Sequence, residues 1–274
     1  MPRVKTNGTE IYYDEVGEGP PLIMLHAFPT DRTLWLFQTH AFSDFYRAIT
    51  VDLRGFGKSG RQVPDEGITM KTMSDDVYGL LDALGIKGAY MMGLSMGSLV
   101  TMQFAIDHAE RLRKIVLAGS YAHLTSKDIL ETFDNWISIL EHRDLPSFLE
   151  AFFSQPVRTE VGKGVPFSPG FIRSKIGSYL IQDRKLKGAR LDPQTLVEVI
   201  KGFKKFDLRR KLGRITTPTL VIAGERELIS YMKEVHSLIP SSTLQIIHGS
   251  GHFSCLDNPE DFNRTVSEFL GKSR

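Results

Sequence analysis

A serine framed by two glycines is the first feature of this sequence that could carry out chemistry. The segment Gly93-Leu94-Ser95-Met96-Gly97 follows a short apolar run and precedes a segment with helical periodicity. A serine on so tight a turn needs neighbours without side chains, because only then can the backbone be strained and the hydroxyl exposed. A helix that begins directly after the serine directs free N–H groups at the same place, where they would stabilise an oxyanion. The pattern predicts Ser95 as a nucleophile; the alternative is a structural turn in which Ser95 only caps the helix.

A nucleophilic serine needs a base and an acid that orients this base, and both must come from other loops. His252 lies in a glycine-rich segment, residues 249–253, between the last apolar run and the last helical pattern. It is preferred as the base over His248, which is expected at the end of the strand. The loop Gly224-Glu225-Arg226-Glu227 follows another apolar run and offers two carboxylates, Glu225 and Glu227, as the acid.

The elements that must position these residues are short apolar strands alternating with helices. Seven segments, rich in Val, Ile, Leu and Met, predict strands: residues 11–16, 21–26, 48–53, 89–94, 114–118, 219–223 and 243–247. Four segments predict helices: residues 72–84, 96–108, 231–238 and 260–270. Strands that are apolar on both faces and separated by helices indicate a mainly parallel sheet covered on both sides.

The alternation stops between about residues 121 and 206, where no strand is predicted. One helix there has an apolar stripe at positions i, i+3, i+4 and i+7, formed by Phe133, Trp136, Ile137 and Leu140. Asp144 and Asp192, each followed closely by a proline, predict two further helix starts. The chain is therefore expected to form one core from residues 1–120 and 206–274, with residues 121–205 inserted as a helical cap over the sheet.

Four motifs in this order resemble the α/β-hydrolase family, and the resemblance covers almost the whole chain. They are His26-Ala27-Phe28-Pro29, Asp52-Leu53-Arg54-Gly55-Phe56-Gly57-Lys58-Ser59, the Gly-x-Ser-x-Gly segment and Gly251-His252-Phe253. The resemblance implies an α/β fold with a mostly parallel eight-stranded sheet, flanked by helices and carrying a helical cap. Within the family, the segments around residues 26–32 and 93–98 are similar to the branch of carboxylesterases and 3-oxoadipate enol-lactonases.

This resemblance implies a catalytic triad of Ser95, His252 and Glu227, acting on a carboxylic ester or lactone through an acyl-enzyme. The order serine, acid, histidine along the chain is that of the family, and Glu227 occupies the loop position of the family's aspartate. Glu225 remains the alternative acid. The backbone N–H groups of Phe28 and Met96 are expected to form the oxyanion hole.

Two residues depart from the family's pattern. Ala27 stands where glycine is usual in the oxyanion loop, and Glu227 is one methylene longer than the usual aspartate. Ala27 limits the φ angles open to that loop. The substrate pocket is expected to include Trp35, Leu94, Tyr121 and Trp136. The predicted cap is rich in aromatic residues, namely Trp136, Phe152, Phe153, Phe167, Phe171 and Tyr179, which predicts a lid that limits substrate size.

Other functions compete with hydrolysis as interpretations of these motifs. Residues 55–60 spell Gly-x-Gly-x-x-Gly, but a loop rather than a helix follows, so no dinucleotide site is predicted. No cofactor and no metal are expected. Non-catalytic binding of a small molecule on the same fold stays open, as do perhydrolase, acyltransferase and carbon–carbon hydrolase chemistry with the same triad.

Composition restricts the partners and the cellular location. The 274 residues contain 34 Lys and Arg against 32 Asp and Glu, without a basic tract, so no nucleic acid is expected as a partner. Cys255 is the single cysteine, which excludes an internal disulfide. No apolar run is long enough to cross a membrane, and the first ten residues lack the apolar segment of a signal peptide. A cytoplasmic protein acting on a small molecule is expected, with its oligomeric state open.

Overall fold

The computed structural model describes residues 2–154, 157–159, 162–164 and 191–271. Its centre is an eight-stranded sheet, as predicted. The strands are β1 (Arg3–Thr6), β2 (Thr9–Val16), β3 (Pro21–Leu25), β4 (Arg47–Asp52), β5 (Ala89–Leu94), β6 (Leu112–Ala118), β9 (Thr219–Gly224) and β10 (Ser242–Ile247). They lie in the order β1-β2-β4-β3-β5-β6-β9-β10, and all neighbours after the β2–β4 pair are parallel.

Helices cover this sheet on both faces and, over the described residues, are α1 (Leu36–Phe42), α2 (Met70–Ala83), α3 (Met96–Asp107), α4 (Lys127–His142), α5 (Leu145–Ser154), α6 (Pro193–Lys204), α7 (Ile229–Leu238), α8 (Ser254–Asp257) and α9 (Pro259–Leu270). Successive side chains of a strand point to opposite faces, so each strand contributes to two separate cores. Leu25 and Val51 pack with α2 and α3, whereas Met24 and Leu94 pack with α1 and α9. The predicted parallel sheet with helices on both sides is confirmed.

Three helices, α4, α5 and α6, lie within the segment predicted as a cap, and α4 packs against the other two. Asp192 caps α6 by accepting a hydrogen bond from Thr195 N, and Pro193 is its first residue, as the sequence indicated. The ends of the segment lie side by side: Leu124 N donates to Phe206 O, and Leu208 N donates to Ala122 O. The predicted loop at residues 166–170 lies outside the described residues.

The prediction that no strand occurs between residues 121 and 206 is wrong. Two three-residue strands, β7 (Val157–Thr159) and β8 (Gly162–Gly164), pair antiparallel in this segment. Strands of three residues are too short to show an alternating hydrophobic pattern, and two of the six residues are glycine. The elements β1, α1 and α8 were not predicted either, because they are short and lie at the edges of the core.

Candidate active site

The tight turn at Ser95 has the geometry that its glycines predicted. Ser95 has φ +51° and ψ −115°, between β5 and α3, and it is partly exposed although its neighbours are buried. A Cβ on Gly93 would lie 2.2 Å from the Gly97 carbonyl, and a Cβ on Gly97 would lie 2.0 Å from Leu25 O. Both positions therefore require glycine, because any side chain would collide with backbone that cannot move away.

His252 and Glu227 meet at the same edge of the sheet. Glu227 Oε2 is 2.8 Å from His252 Nδ1, and Glu227 Oε1 accepts a hydrogen bond of 2.6 Å from Gly224 N. Glu227 is 3% exposed, so a buried carboxylate holds the imidazole. Because the carboxylate can only accept, Nδ1 donates to it, and Nε2 is left free to accept a proton.

Glu225, the alternative acid, has different partners. It accepts a hydrogen bond of 2.8 Å from Gly249 N, and its other oxygen lies 3.3 Å from His248 Nδ1 at the surface. These hydrogen bonds, first that from Gly249 N and then that from His248, lower the pKa of Glu225. Of the two carboxylates, the structure brings only Glu227 to His252.

A cavity of about 580 Å³ is lined by residues at the sheet edge and on α4, α5 and α6, and both Ser95 and His252 line it. Among the described residues, Ser95 Oγ has no hydrogen-bond partner. Nucleophile and base often tighten their contact only when substrate is bound, so this geometry does not count against their pairing. The other lining residues are largely apolar and come from the core and from α4, α5 and α6.

The two residues predicted to bind an oxyanion through their backbone N–H groups, Met96 and Phe28, line the same cavity as Ser95. Met96 is the first residue of α3, so its N–H has no acceptor within the helix. Phe28 lies in the loop after β3, which His26 holds: His26 Nδ1 is 2.9 Å from Ala27 O, and Leu53 N donates to His26 Nε2 at 3.0 Å. This pairing fixes the neutral imidazole with its proton on Nδ1.

Both departures from the family pattern fit their surroundings. Ala27 is fully buried. Among the described residues other than glycine, only Asn7 and Ser95 have a positive φ, so Ala27 does not. The loop after β3 therefore does not need the conformational freedom of glycine at this position. The longer side chain of Glu227 still reaches His252 while its second oxygen bonds to the backbone.

The structure corrects two of the four predicted pocket residues. Tyr121 and Trp136 line the cavity, whereas Trp35 and Leu94 do not. Trp35 and Leu94 are both 0% exposed and belong to the core on the α1 and α9 face, where Trp35 packs on Phe262. Closeness in sequence to Ser95 does not place Leu94 at the cavity, because its side chain points to the opposite face of the sheet.

Of the aromatic residues predicted in the cap, Trp136 and Phe152 line the cavity. The side chains of Phe153, Phe167, Phe171 and Tyr179 lie outside the described residues.

One residue at the site was not predicted. Gly119 follows β6 with φ +53°, and a Cβ there would lie 2.7 Å from His252 Cε1 and 2.9 Å from His252 Nδ1. The imidazole therefore packs directly on this glycine. A glycine immediately after a buried strand at the carboxyl edge of a parallel sheet is the signal that could have identified it.

The described residues offer no other obvious chemistry. They contain no group of three His, Cys, Asp or Glu side chains that could hold a metal ion. The glycine-rich segment 55–60 forms a closed turn, in which Gly55 N donates to Gly60 O, and α2 begins only at Met70. Over the same part of the chain, no helix has the length and apolar character needed to span a membrane.

Comparison with known proteins gives the family. A family model of the alpha/beta hydrolase fold matches residues 20–259. The 3-oxoadipate enol-lactonase 1 of Acinetobacter baylyi is 27% identical, covering 97% of this chain and 92% of that protein. The putative carbamate hydrolase RutD of Agrobacterium fabrum is 26% identical, covering 95% and 97%. A thermophilic esterase from Thermogutta terrifontis has a TM-score of 0.84 and 27% identity, covering 98% of each chain. The chain belongs to the alpha/beta hydrolase fold family.

Proposed function

We propose that this protein is a serine hydrolase that cleaves small to medium carboxylic esters or lactones through an acyl-enzyme. The observation that carries the proposal is the buried Glu227 carboxylate on His252 Nδ1, beside a cavity that the strained Ser95 also lines. The similarity to an enol-lactonase and to an esterase supports ester or lactone bonds as the target. The largely apolar lining of the cavity favours an apolar acyl group.

In the proposed mechanism, Ser95 Oγ attacks the carbonyl carbon while His252 Nε2 takes the hydroxyl proton. Glu227 keeps the correct imidazole tautomer and stabilises the imidazolium. The N–H groups of Met96 and Phe28 bind the oxyanion, and they are fixed before charge develops on the oxygen. Collapse of the tetrahedral intermediate expels the alkoxide, which leaves with the proton from His252. Water then attacks the acyl-enzyme with His252 as base, which releases the acid and restores Ser95.

We propose that residues 121–205 act as a lid over this site on a core of residues 1–120 and 206–274. The paired chain ends at Ala122–Leu124 and Phe206–Leu208 support a single point of attachment. Nine of the twenty lining residues come from the helices α4, α5 and α6: seven from α4, one from α5 and one from α6. Residues on these helices, rather than those of the core, would then determine the size of the acyl group.

A fluorophosphonate probe tests the nucleophile without requiring the natural substrate. The label is expected on the peptide containing Ser95, and Ser95→Ala and His252→Ala should abolish it together with the burst of nitrophenol from p-nitrophenyl butyrate. The matched control is Ser126→Ala, which removes another serine hydroxyl from the cavity wall and should keep the label. Wild-type hydrolysis by Ser95→Ala, or binding of the ester without a burst, would contradict the proposal.

A further inference from the structure

The cavity has two chemically different ends. One end is an aromatic box, which we define as the rings of Phe28, Phe133, Trp136, Phe152 and Phe203. The other is a tyrosine pair, Tyr121 and Tyr231, whose rings lie edge to face at 5.0 Å. The box is apolar and the pair carries two phenol hydroxyls, while polar residues such as Asp128, Glu131 and Asn135 also line the cavity.

The aromatic box is held together by its own ring contacts. Phe28 stacks on Trp136 at 6.2 Å with 22° between the planes, and it meets Phe152 and Phe203 edge to face at 5.9 and 5.3 Å. Phe133 packs on Trp136 at 5.6 Å. Pairs of rings in these geometries are favourable beyond the area that they bury, and a further aromatic ring could add to the same arrangement.

The two ends differ in their contact with His252. Tyr121 packs on the imidazole of His252 at 6.2 Å, and Tyr231 packs on Tyr121. Among the described residues, none of the five rings of the box makes a ring contact with His252. The box instead begins at Phe28, whose N–H is one of the proposed oxyanion donors.

The chemistry of ester cleavage assigns these ends to the two halves of a substrate. The leaving oxygen must receive its proton from His252 Nε2, so the alcohol half lies beside His252 and therefore beside Tyr121. The acyl half extends from the carbonyl carbon away from the base, and the aromatic box is a part of the cavity lining that makes no ring contact with His252. An aromatic ring on the acyl half would find aromatic partners there.

The hydroxyl of Tyr121 is available as a hydrogen-bond donor. No described residue forms a hydrogen bond with Tyr121 Oη, although the ring is only partly exposed, at the cavity. Burial raises the pKa of the phenol, and the nearby Glu227 carboxylate raises it further. The phenol therefore stays protonated at neutral pH and can donate a hydrogen bond.

On the basis of the proposed function, we propose that the site prefers esters that join an aromatic acyl group to an alcohol carrying a second hydroxyl. In the proposed complex, the acyl ring stacks in the aromatic box and Tyr121 Oη donates a hydrogen bond to the second hydroxyl of the leaving alcohol. Tyr121 is a specificity-determining residue, because it contacts substrate without taking part in proton transfer.

The test compares esters that differ in one half at a time. For the alcohol half, 2-hydroxyethyl phenylacetate is compared with ethyl phenylacetate, and the ratio of their kcat/KM values is measured. Tyr121→Phe should lower this ratio by about tenfold, the upper range for a neutral hydrogen bond. The matched control is Tyr90→Phe, which removes a phenol hydroxyl from a ring packed on Tyr46, outside the cavity. It should leave the ratio unchanged.

For the acyl half, ethyl phenylacetate is compared with ethyl butanoate. The wild-type protein should prefer the phenylacetate, and Trp136→Leu should lower this preference severalfold because it removes the central ring of the box. Unfolding in urea identifies any variant that fails to fold. If Trp136→Leu does not fold, Phe152→Leu replaces it.

The outcomes separate this inference from the proposed function. A protein that cleaves these esters through Ser95, but whose 2-hydroxyethyl to ethyl ratio is unaffected by Tyr121→Phe, overturns the assignment of Tyr121. Equal preference for phenylacetate and butanoate overturns the aromatic acyl site. Absence of cleavage, together with absence of fluorophosphonate labelling, overturns the proposed function itself. A tenfold fall confined to Tyr121→Phe, with the phenylacetate preference, supports the inference.

Discussion

Replacing Gly119 with alanine should disable the site through a single added methyl group. The new Cβ would lie 2.7 Å from His252 Cε1 and 2.9 Å from His252 Nδ1, and 3.5 Å from Glu227 Oε2. Gly119 N also donates to Ile222 O, which fixes the backbone between β6 and β9. The imidazole, rather than the backbone, must therefore move.

The size of the effect follows from these distances. Carbon atoms in contact are separated by about 3.5–4.0 Å, so the ring must shift by roughly 1 Å. A misplacement of about 1 Å at a reacting group lowers the rate on the order of 100-fold. The shift also disturbs the bond between His252 Nδ1 and Glu227, which is 2.8 Å long. We therefore expect kcat/KM of Gly119→Ala to fall about 100-fold or more.

The variant also introduces backbone strain, which needs its own control. Gly119 has φ +53°, and placing an alanine in this left-handed region lowers the free energy of unfolding by about 1–2 kcal/mol relative to glycine. Gly85 has φ +67°, and a Cβ added there would have nothing within 4 Å, so Gly85→Ala introduces the strain without the collision. Unfolding in urea should show similar losses of stability in both variants.

The assay is hydrolysis of p-nitrophenyl butyrate, combined with the rate of fluorophosphonate labelling. Gly85→Ala should keep both rates near those of the wild type, and Gly119→Ala should lose both. If Gly119→Ala loses stability as Gly85→Ala does but retains wild-type kcat/KM, the packing of His252 on Gly119 does not matter for catalysis. That result would refute the reasoning.

Three further predictions test the acid, the pH dependence of stability and a buried ion pair. Glu227→Gln should lower kcat by roughly 10³–10⁴, because both carboxylate oxygens accept hydrogen bonds and an amide can accept at only one, while Glu225→Gln stays within about tenfold. The reverse ranking would refute the assignment. Burial raises the pKa of Tyr46 from 10.0 to about 12, so its contribution to stability is complete below pH 10 and is lost as the pH rises to 12. Urea unfolding between pH 9 and 12 should show the wild type losing up to about 2 kcal/mol more than Tyr46→Phe, and equal losses would contradict this. Arg54 bonds to Asp76 in the core, so Arg54→Leu should cost about 3–5 kcal/mol in urea unfolding, and Asp76→Leu added to it should recover part of the loss. A double variant less stable than the single one would count against the pairing.

The sequence predicted best what depends on neighbours along the chain. The two glycines around Ser95 indicated a crowded turn, and the structure shows backbone within 2.2 Å of where their side chains would be. The start of α6 at Asp192 and Pro193 is equally local, because a cap and a fixed φ act within one turn. Such features need no knowledge of which strands are neighbours in the sheet.

The sequence could not predict what depends on the face of the sheet or on contacts between distant loops. Leu94 adjoins Ser95 along the chain, yet its side chain enters the core on the far face, as does that of Trp35. Gly119 contacts His252 across 133 positions of sequence, and the parallel arrangement of β6, β9 and β10 brings them together. The pairing of β7 with β8 had too few residues to produce a pattern.

The backbone of the fold decides which of two nearby carboxylates, Glu225 or Glu227, contacts His252, a question that the sequence motif leaves open. Glu225 and Glu227 share one loop, and the backbone decides which of them turns inward. Arg226 N donates to Ser250 O and Glu225 N donates to Ile247 O, so this loop is bonded along the loop that carries His252. Glu225 accepts a hydrogen bond from Gly249 N on the exposed side of these loops. The N–H of Glu227 donates to Gly224 O and closes a turn, and after this turn the side chain of Glu227 faces His252. These hydrogen bonds between the two loops set the distance from the backbone of residue 227 to His252. At this distance the glutamate side chain, which is longer than that of aspartate, reaches Nδ1. We therefore infer that Glu227→Asp, which shortens the side chain while these backbone bonds persist, would impair catalysis here although aspartate is usual in the family.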